Sequence, residues 1–238
     1  MKNDIAIFTP MANEEKNAKK FILELLSYKK FFNKFIYFII IDKVSTDSTY
    51  KIVKDLEKKN KFLKVIWAPK NKSVVDAYIR GYKDCLSTNY QWILEIDAGG
   101  SHRPKDLLGF IKYMNSDYEC IFGSRFCSGG KMTNSNFIRY CFSKGGTLLS
   151  KILFSIKLYD TTSGYQMFQK KILKKIVKKG LMSQDRFFQT EIKIYTRAKK
   201  IKEVPITYIC KTHTLSIFSI IESVYLLILI RFFKKNYL

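Results

Sequence analysis

Short runs of consecutive apolar residues alternate along the chain with longer stretches in which apolar residues recur every three or four positions. The run Phe35–Ile41 is the clearest example of the first pattern, which is typical of a strand buried on both faces of a parallel sheet. Helical stretches follow these runs, so the sequence predicts right-handed βαβ units through about residue 114 and an α/β fold. The predicted strands span residues 5–8, 35–41, 62–67, 91–96, 119–122, 165–168 and 201–208, and the predicted helices span 14–27, 45–59, 74–86, 105–114, 138–154, 171–178 and 184–198.

Two further segments have an amphipathic or apolar pattern of their own. Residues 170–179 alternate lysine pairs with apolar pairs, which favours a helix that packs on the core; a helix lying on an anionic membrane surface is the alternative. Residues 215–233 are apolar but interrupted by serines and Glu222, whereas a membrane span needs about 20 apolar residues. We therefore expect a main domain over residues 1–214, followed at 215–238 by an apolar helix that is docked, membrane-interfacial or part of a dimer surface.

The composition narrows the possible partners and the compartment. At 238 residues the chain suits one sizeable domain, and its apolar fraction of 47% excludes a disordered protein. The formal charge of +23 is compatible with phosphorylated ligands, an anionic membrane or nucleic acid, but no clustered arginine and aromatic platform is present, so nucleic acid is not expected. The five cysteines are scattered and form no C-x-x-C pair, which indicates reduced thiols in the cytoplasm and argues against a zinc site.

The segment 91–104 combines a predicted strand, a carboxylate, a glycine turn and a helix start. Asp97 follows the strand, and Pro104 suits the first helical position, where its missing N–H has no helical partner. Ligands of open α/β sheets bind beyond the carboxyl ends of strands, and a carboxylate there can hold a divalent cation that binds a diphosphate. The alternative is an aspartate that only caps the turn. Neither a G-x-G-x-x-G nor a P-loop motif is present, which argues against a dinucleotide-dependent dehydrogenase and a P-loop kinase.

Eight short motifs follow one another along most of the chain. They are Pro10-x-x-Asn13-Glu14, Ile41-Asp42-x-x-Ser45-x-Asp47-x-Thr49, Asp97-Ala-x-x-Ser101-His102-x-Pro104, Gly123-Ser-Arg125-Phe, Arg139-x-x-x-Ser143, Asp160-x-x-Ser163-Gly164-Tyr165, Phe188-Gln189-x-Glu191 and Glu203-Val-Pro205-Ile206. In this order and spacing they resemble the motifs of family 2 glycosyltransferases with the GT-A fold. The resemblance is strongest to the polyprenyl-phosphate sugar synthases, typified by dolichyl-phosphate mannose synthase.

The resemblance implies a Rossmann-like fold, in which a mostly parallel central sheet is flanked by helices. An NDP-sugar donor would lie across the ends of the first, second and fourth strands. Pro10, Glu14 and Asp42 would line the nucleoside pocket, and Asp97 would be both catalytic and the residue that holds the metal and diphosphate. The implied reaction is an inverting sugar transfer, in which a divalent cation and basic groups stabilise the departing nucleoside diphosphate.

For the acceptor, the resemblance implies a polyprenyl phosphate, bound by an enzyme that is peripheral on the cytoplasmic face of a membrane. The guanidinium of arginine suits a phosphate, and a phosphate oxygen needs no general base because it is already an anionic nucleophile. If the acceptor is instead a glycan hydroxyl, a carboxylate must accept its proton, and Asp185 and Glu191 are the catalytic candidates. The implied acceptor-binding residues are Arg125, which also counts as catalytic, Arg139, Ser143, Gln189 and Lys211.

The chain departs from the family pattern in the metal motif, where Gly99 stands in place of the usual second acid. Mg²⁺ can be held by one or two carboxylates with substrate phosphates and water, so a weakened Mg²⁺ or Mn²⁺ site is expected, with Ser101 or His102 as further ligands. Histidine suits manganese or zinc better than magnesium. The glycines that usually precede the third helix are replaced by Ser73 and Val75. A catalytically silent member that binds a nucleotide-sugar is therefore the remaining alternative.

Overall fold

A computed structural model describes residues 3–211 and 216–233 of the chain. The strands are β1 (Ile5–Pro10), β2 (Phe35–Ile41), β3 (Leu63–Trp67), β4 (Trp92–Glu95), β5 (Cys120–Ser124), β6 (Lys131–Thr133), β7 (Gln166–Gln169), β8 (Ile201–Pro205) and β9 (Thr207–Ile209). The helices are α1 (Ala18–Ser27), α2 (Thr49–Lys59), α3 (Val74–Leu86), α4 (Leu107–Ile111), α5 (Phe137–Phe154), α6 (Lys170–Lys179), α7 (Phe188–Thr196) and α8 (Ile217–Phe233).

Seven of the strands form a central sheet in the order β3-β2-β1-β4-β7-β5-β8. All neighbouring pairs are parallel except those of β7, which runs antiparallel to both β4 and β5. The predicted α/β class with a mostly parallel sheet is therefore confirmed. The two remaining strands, β6 and β9, pair in parallel as a separate ribbon. Because β1, β2 and β4 are mutually parallel neighbours, their carboxyl ends meet at one edge of the sheet.

Both faces of the sheet are buried, as the continuous apolar runs predict. In β1, Ile5 and Ile7 point into one hydrophobic cluster, while Ala6 and Phe8 point into the other. This division follows from the two-residue side-chain period of a strand.

Several boundaries differ from the predicted ones. The helix expected over 14–27 begins at Ala18, because the preceding residues form a turn in which the Glu14 carbonyl accepts the N–H groups of Asn17 and Ala18. The expected strand 201–208 is divided at Ile206, where pairing passes from β5–β8 to β6–β9. Part of the expected loop 127–136 is strand β6. Helix α3 begins at a capping box, in which Ser73 and Asp76 exchange hydrogen bonds. Ser73 therefore caps this helix, at a position where the family usually has a glycine.

The two segments with an unusual charge or apolar pattern both form helices. In α6, Ile172, Leu173 and Ile176 are buried in the core, which confirms the core-facing interpretation. Helix α8 lies within the apolar segment, although the predicted boundary at 214/215 and residues 234–238 fall outside the described residues. Across residues 3–211 and 216–233, none of the helices combines the length and apolar character needed to cross a membrane.

Candidate active site

A cleft of about 340 Å³ opens at the carboxyl ends of β1 and β2. Pro10 and Asp42 line it, as the sequence predicts for residues that end these strands, and the start of α3 forms the opposite wall. Tyr78 of α3 also lines the cleft, and its hydroxyl donates a hydrogen bond of 2.6 Å to Asp97 Oδ1. Tyr78 therefore connects the cleft, which Pro10 and Asp42 line, to the carboxylate of Asp97 beyond β4.

Asp97 is half-exposed and is held by the residues around it. The Asp97 N–H donates to Nδ1 of His102 at 3.3 Å, and the same nitrogen lies 3.4 Å from Asp97 Oδ2. Burial lowers the pKa of His102, so the ring is neutral and carries its proton on Nε2. With 1% of its surface exposed, His102 is buried beside Asp97 and helps to orient it, while its role as a metal ligand stays a prediction.

The turn after Asp97 lies between two side chains of opposite charge. An ideal Cβ at Gly99 would lie 2.4 Å from Oε1 of Glu14, and one at Gly100 would lie 3.2 Å from Nζ of Lys211. Ser101 is half-buried in the same turn. The Glu14 carboxylate lies against the metal-motif turn, next to the residues that line the cleft on the loop after β1, so its role in the nucleoside pocket stays a prediction. Among the described residues, no three His, Cys, Asp or Glu side chains are grouped so as to hold a metal ion.

The first two sequence motifs hold each other in place. The Glu14 N–H donates to Oγ1 of Thr49 at 2.7 Å, and the Glu15 N–H donates to Oδ2 of Asp47 at 3.0 Å. Asn13 has a positive φ of 55° and accepts the Thr46 N–H at 2.9 Å through its side chain. The loop after β1 is therefore fixed by the start of α2. This contact joins residues more than 30 positions apart, so the sequence alone does not reveal it.

Arg125 belongs to a buried ion pair. Its Nε and Nη2 each lie 2.8 Å from a carboxylate oxygen of Asp160, and its backbone N–H also donates to that carboxylate at 3.0 Å. Burial alone would raise the pKa of Asp160, but the Arg125 guanidinium lowers it to about 2. Glu203 accepts the N–H groups of Tyr159 and Asp160. Three of the sequence motifs thus form one structural unit, and two nitrogens of Arg125 are already committed within it.

Arg139 is also buried, but most of its guanidinium has no partner among the residues that the structure describes. Only 8% of its surface is exposed, and among the described residues nothing accepts a hydrogen bond from its Nε or Nη1. Its Nη2 donates to the hydroxyl of Tyr208 at 3.5 Å. The Tyr208 ring centroid lies 5.3 Å from the guanidinium carbon of Arg125 and 5.3 Å from the His102 ring centroid. Tyr208 therefore links both arginines to the residues around Asp97, while Ser143 lies half-buried one turn further along α5.

A buried polar network lies behind Asp97. The side chain of Gln189 donates from Nε2 to Oε1 of Glu95 at 2.5 Å, and its own Oε1 accepts a hydrogen bond from Nε2 of Gln166. An ideal Cβ at Gly164 would lie 3.0 Å from both Oδ2 of Asp97 and Nε2 of Gln189, so a larger residue there would crowd the network and the carboxylate. Gln189, expected at the acceptor, is 6% exposed and part of the network, which corrects that expectation in favour of a positioning role.

The Glu95 carboxyl makes this network sensitive to pH. Burial, with a contribution from the Asp97 charge, raises the pKa of Glu95 from its usual value to about 8. The folded state therefore keeps a proton that the unfolded state releases above about pH 4.5, so the free energy of unfolding falls as the pH rises from there to about 8. We expect the difference in unfolding free energy between wild type and Glu95→Gln to shift by roughly 2–4 kcal/mol between pH 5 and 8, measured by urea denaturation.

Glu119→Gln is the matched control for this prediction. Although burial opposes it, hydrogen bonds from the Lys200 N–H and from Lys171 lower the pKa of Glu119, so this carboxyl titrates below the window tested. The difference in unfolding free energy between wild type and Glu119→Gln should therefore stay constant from pH 5 to 8. A constant difference for Glu95→Gln as well would contradict the raised pKa of the buried carboxyl.

The two carboxylates considered as proton acceptors have other contacts. Glu191 is fully buried and accepts the N–H groups of Met182 and Ser183 and the hydroxyl of Tyr195. It stabilises the loop before α7, which corrects its predicted catalytic role. Asp185 is half-exposed and accepts a hydrogen bond from Ser219 of α8. It therefore ties α8 to the main body of the protein.

Tyr78 and Tyr208 contact residues of the site, but no sequence pattern identifies them as site residues. Tyr78 lies in the second turn of an ordinary amphipathic helix, and Tyr208 lies in a short strand among other apolar residues. Tyr78 matters because it binds Asp97, and Tyr208 because it binds Arg139. Both contacts depend on tertiary packing, of α3 on β1 and of β9 on β6.

A nucleotide-sized cleft at the ends of parallel strands, next to an acid beyond the fourth strand, is the arrangement of a GT-A glycosyltransferase. The fold agrees with this class. A crystal structure of glucosyl-3-phosphoglycerate synthase from Mycobacterium tuberculosis with Mn²⁺, uridine diphosphate and glucosyl-3-phosphoglycerate superposes with a TM-score of 0.68. The match covers 96% of this chain and 80% of that one at 13% identity, so it bears on the fold alone.

The chain belongs to glycosyl transferase family 2, whose family model matches residues 6–177. It is 29% identical over 173 residues to undecaprenyl-phosphate mannosyltransferase of Micrococcus luteus and 26% identical over 176 residues to polyprenol monophosphomannose synthase of Mycolicibacterium smegmatis. It is 26% identical over 208 residues to dolichol-phosphate mannosyltransferase of Pyrococcus furiosus. These alignments cover 72%, 73% and 86% of this chain and 71%, 66% and 56% of the relatives' own lengths. The chain is thus a glycosyltransferase, and the predicted family is confirmed.

Proposed function

We propose that the protein transfers a sugar from an NDP-sugar to a polyprenyl phosphate, with inversion at the anomeric carbon. The observation that carries this proposal is the buried guanidinium of Arg139, whose Nε and Nη1 have no acceptor among the described residues. Buried polar groups are normally paired, so unpaired nitrogens of this kind point to an anionic ligand. The three relatives named above act, by their names, on undecaprenyl phosphate, a polyprenol or dolichol phosphate, which is the same chemical class.

The donor side of the proposal uses the cleft and Asp97. The nucleoside would lie against Pro10 and Asp42, which places the diphosphate near Asp97 and the turn that follows it. Tyr78 and His102 orient Asp97 so that its carboxylate stays at the edge of the cleft. A divalent cation bound there would neutralise charge that develops on the departing nucleoside diphosphate.

The acceptor side needs a site that binds a phosphate without removing a proton. A phosphate monoester carries its own negative charge, so its oxygen can attack the anomeric carbon without a general base. Arg139 supplies unpaired donors, and Arg125 adds positive charge behind Tyr208. Since Glu191 is buried and fully engaged, the structure offers less support for a glycan hydroxyl as acceptor.

An apolar surface beside the arginines supports a membrane-bound acceptor. Helices α5 and α8 contact each other, and both expose large apolar side chains. Phe137, 80% exposed, lies two residues before Arg139 on α5, and Phe218 of α8 is 79% exposed. We therefore propose that the protein sits peripherally on the cytoplasmic face of a membrane, with this surface in the lipid interface and the chain's positive charge towards anionic headgroups.

The test compares acceptor and donor kinetics in one variant. Arg139→Ala is expected to raise the KM for polyprenyl phosphate by about 10–100-fold, because a hydrogen bond between charged groups contributes about 1.5–3 kcal/mol. The KM for the NDP-sugar should change by less than about twofold, since Arg139 lies outside the cleft. The measurement uses radiolabelled NDP-sugars and the full chain, with lipid-extractable and water-soluble products counted separately.

Lys144→Ala is the matched control, because this lysine lies on the same helix and is exposed. It should leave the acceptor KM close to wild type. Label that enters only water-soluble product would favour transfer to a glycan hydroxyl instead. Equal losses for donor and acceptor in Arg139→Ala would place this arginine outside the acceptor site.

A further inference from the structure

We propose that Glu14 supplies the second carboxylate of the metal motif, in place of the acid that is missing at position 99. This inference rests on the proposed donor site at Asp97. In the family pattern, the segment after β4 supplies both metal-binding acids. Here the loop after β1 would supply the second, which explains how Asp97-Ala-Gly99 can serve the same chemistry as Asp-x-Asp.

The position of the Glu14 carboxylate carries the inference. Its Oε1 lies 2.4 Å from the ideal Cβ position of Gly99, and its Cδ lies 3.1 Å from that position. The Glu14 carboxylate therefore occupies the space into which a side chain at position 99 would extend.

Gly99 and Glu14 depend on each other sterically. Any side chain at position 99 would start within 2.4 Å of the Glu14 carboxylate, a contact that only a shift of Glu14 would relieve. The backbone of Gly99 also has φ +80°, a conformation that glycine adopts freely and that aspartate and asparagine tolerate better than most residues. The space for the second acid is thus filled from the β1 loop.

The loop that carries Glu14 is rigid enough to place its carboxylate. Thr49, fully buried at the start of α2, accepts the Glu14 N–H at 2.7 Å. The Glu14 carbonyl accepts the N–H groups of Asn17 and Ala18, and Nδ2 of Asn17 donates to Glu14 Oε2 at 3.3 Å. The oxygen nearest Gly99 is Oε1, so Asn17 binds one oxygen of the carboxylate and leaves the other facing the metal-motif turn.

Two carboxylates are a sufficient protein contribution for the expected ion. Mg²⁺ and Mn²⁺ in nucleotide sites are commonly held by one or two carboxylates, with phosphates and water completing the shell. Asp97 and Glu14 fit this requirement without a third protein ligand. The competing explanation is Lys211, whose Nζ lies 3.2 Å from the ideal Cβ of Gly100 and which could neutralise the diphosphate directly. The two explanations make opposite predictions about ion binding.

The experiment measures Mn²⁺ affinity rather than sugar transfer. Wild type and Glu14→Gln are titrated with Mn²⁺ in the presence of saturating GDP or UDP, and free Mn²⁺ is followed by electron paramagnetic resonance. Glu14→Gln is expected to raise the Mn²⁺ dissociation constant by at least ~10-fold, as loss of groups at metal sites typically does. Glu15→Gln is the control, because Glu15 neighbours Glu14 but accepts the Ser48 N–H away from the turn.

A double variant tests whether the two positions are interchangeable. Glu14→Ala with Gly99→Asp removes the carboxylate that fills the space and restores the acid of the family pattern. The double variant is expected to bind Mn²⁺ with an affinity within about threefold of wild type. Gly99→Asp alone brings two carboxylates together, so its Mn²⁺ affinity should fall outside that range. Nucleotide affinity in EDTA should be the same in all variants, which separates ion binding from nucleoside binding.

Each result bears on a different statement. Wild-type Mn²⁺ affinity in Glu14→Gln would overturn the role of Glu14 and leave the proposed function standing, and so would weak Mn²⁺ binding by a double variant whose urea midpoint matches that of wild type. Mn²⁺-independent nucleotide binding that is lost in Lys211→Ala would overturn it in favour of the lysine. If neither GDP nor UDP binds the wild-type protein, the donor site itself fails, and the proposed function fails with it.

Discussion

Asp97→Asn is expected to lower kcat for sugar transfer by about 10³-fold, because it removes the negative charge that would hold a divalent cation on the donor diphosphate. Asparagine keeps the size of the side chain, and its carbonyl oxygen can still accept the hydroxyl of Tyr78, which donates to Asp97 at 2.6 Å. The His102 contact involves the Asp97 backbone N–H and is also retained. The variant should therefore fold normally, with an unchanged urea midpoint, and fail only in transfer.

Two comparisons make this result specific. Tyr78→Phe removes only the hydrogen bond that orients the carboxylate, so a smaller loss of about tenfold is expected. Asp117→Asn changes an exposed acid that pairs with Lys200, and transfer should be unaffected. Full activity in Asp97→Asn would show that the acid only caps its turn. A wild-type protein that binds the donor without transferring the sugar would instead identify a catalytically silent family member.

The placement of Asp97 could be predicted because its signals are local. A strand, a carboxylate and a glycine turn follow one another within a few residues, and parallel strands bring their carboxyl ends to one edge. Pro10 and Asp42 follow the same rule, so the sequence places them correctly in the cleft. These positions depend on the order of elements along the chain, which hydrophobic patterning reveals.

The contacts of the site could not be predicted because they join distant parts of the chain. Asp160 pairs with Arg125 across 35 residues, and Glu95 bonds to Gln189 across 94 residues. The apolar run that becomes β7 predicts a strand but not its antiparallel direction, since buried strands of either direction have the same pattern. Residues expected to touch ligands proved to orient other residues, because burial and partners depend on the packed structure.

The position of Glu14 shows how a departure from a motif is explained only in three dimensions. In the sequence, Gly99 reads as a lost acid, and the loss suggests an inactive protein. In the structure, the carboxylate of Glu14 lies against Gly99, and the Lys211 ammonium lies against Gly100. The proposed role of Glu14 rests on this arrangement, which the sequence positions alone do not reveal.

Arg125→Ala is expected to destabilise the protein by about 3–5 kcal/mol, because it leaves the fully buried Asp160 carboxylate without its cationic partner. Folding lowers the pKa of Asp160 from its usual range to about 2, so the pair stabilises the folded state above about pH 4 and less as the pH falls towards 2. The variant should have a much lower urea midpoint at pH 7, and its deficit relative to wild type should shrink in acid. Equilibrium unfolding monitored by circular dichroism measures both effects.

Arg139→Ala is the natural comparison, since this arginine is similarly buried but its guanidinium makes one long hydrogen bond, to Tyr208, within the described part of the chain. Removing a guanidinium whose Nε and Nη1 are unpaired leaves no buried charge behind, so a stability change within about 1 kcal/mol is expected. The two variants should therefore differ. Loss of Arg125 should mainly lower stability, whereas loss of Arg139 should mainly weaken acceptor binding. Equal destabilisation in both variants would contradict this division, because it would mean that Arg139 has a structural partner of comparable strength.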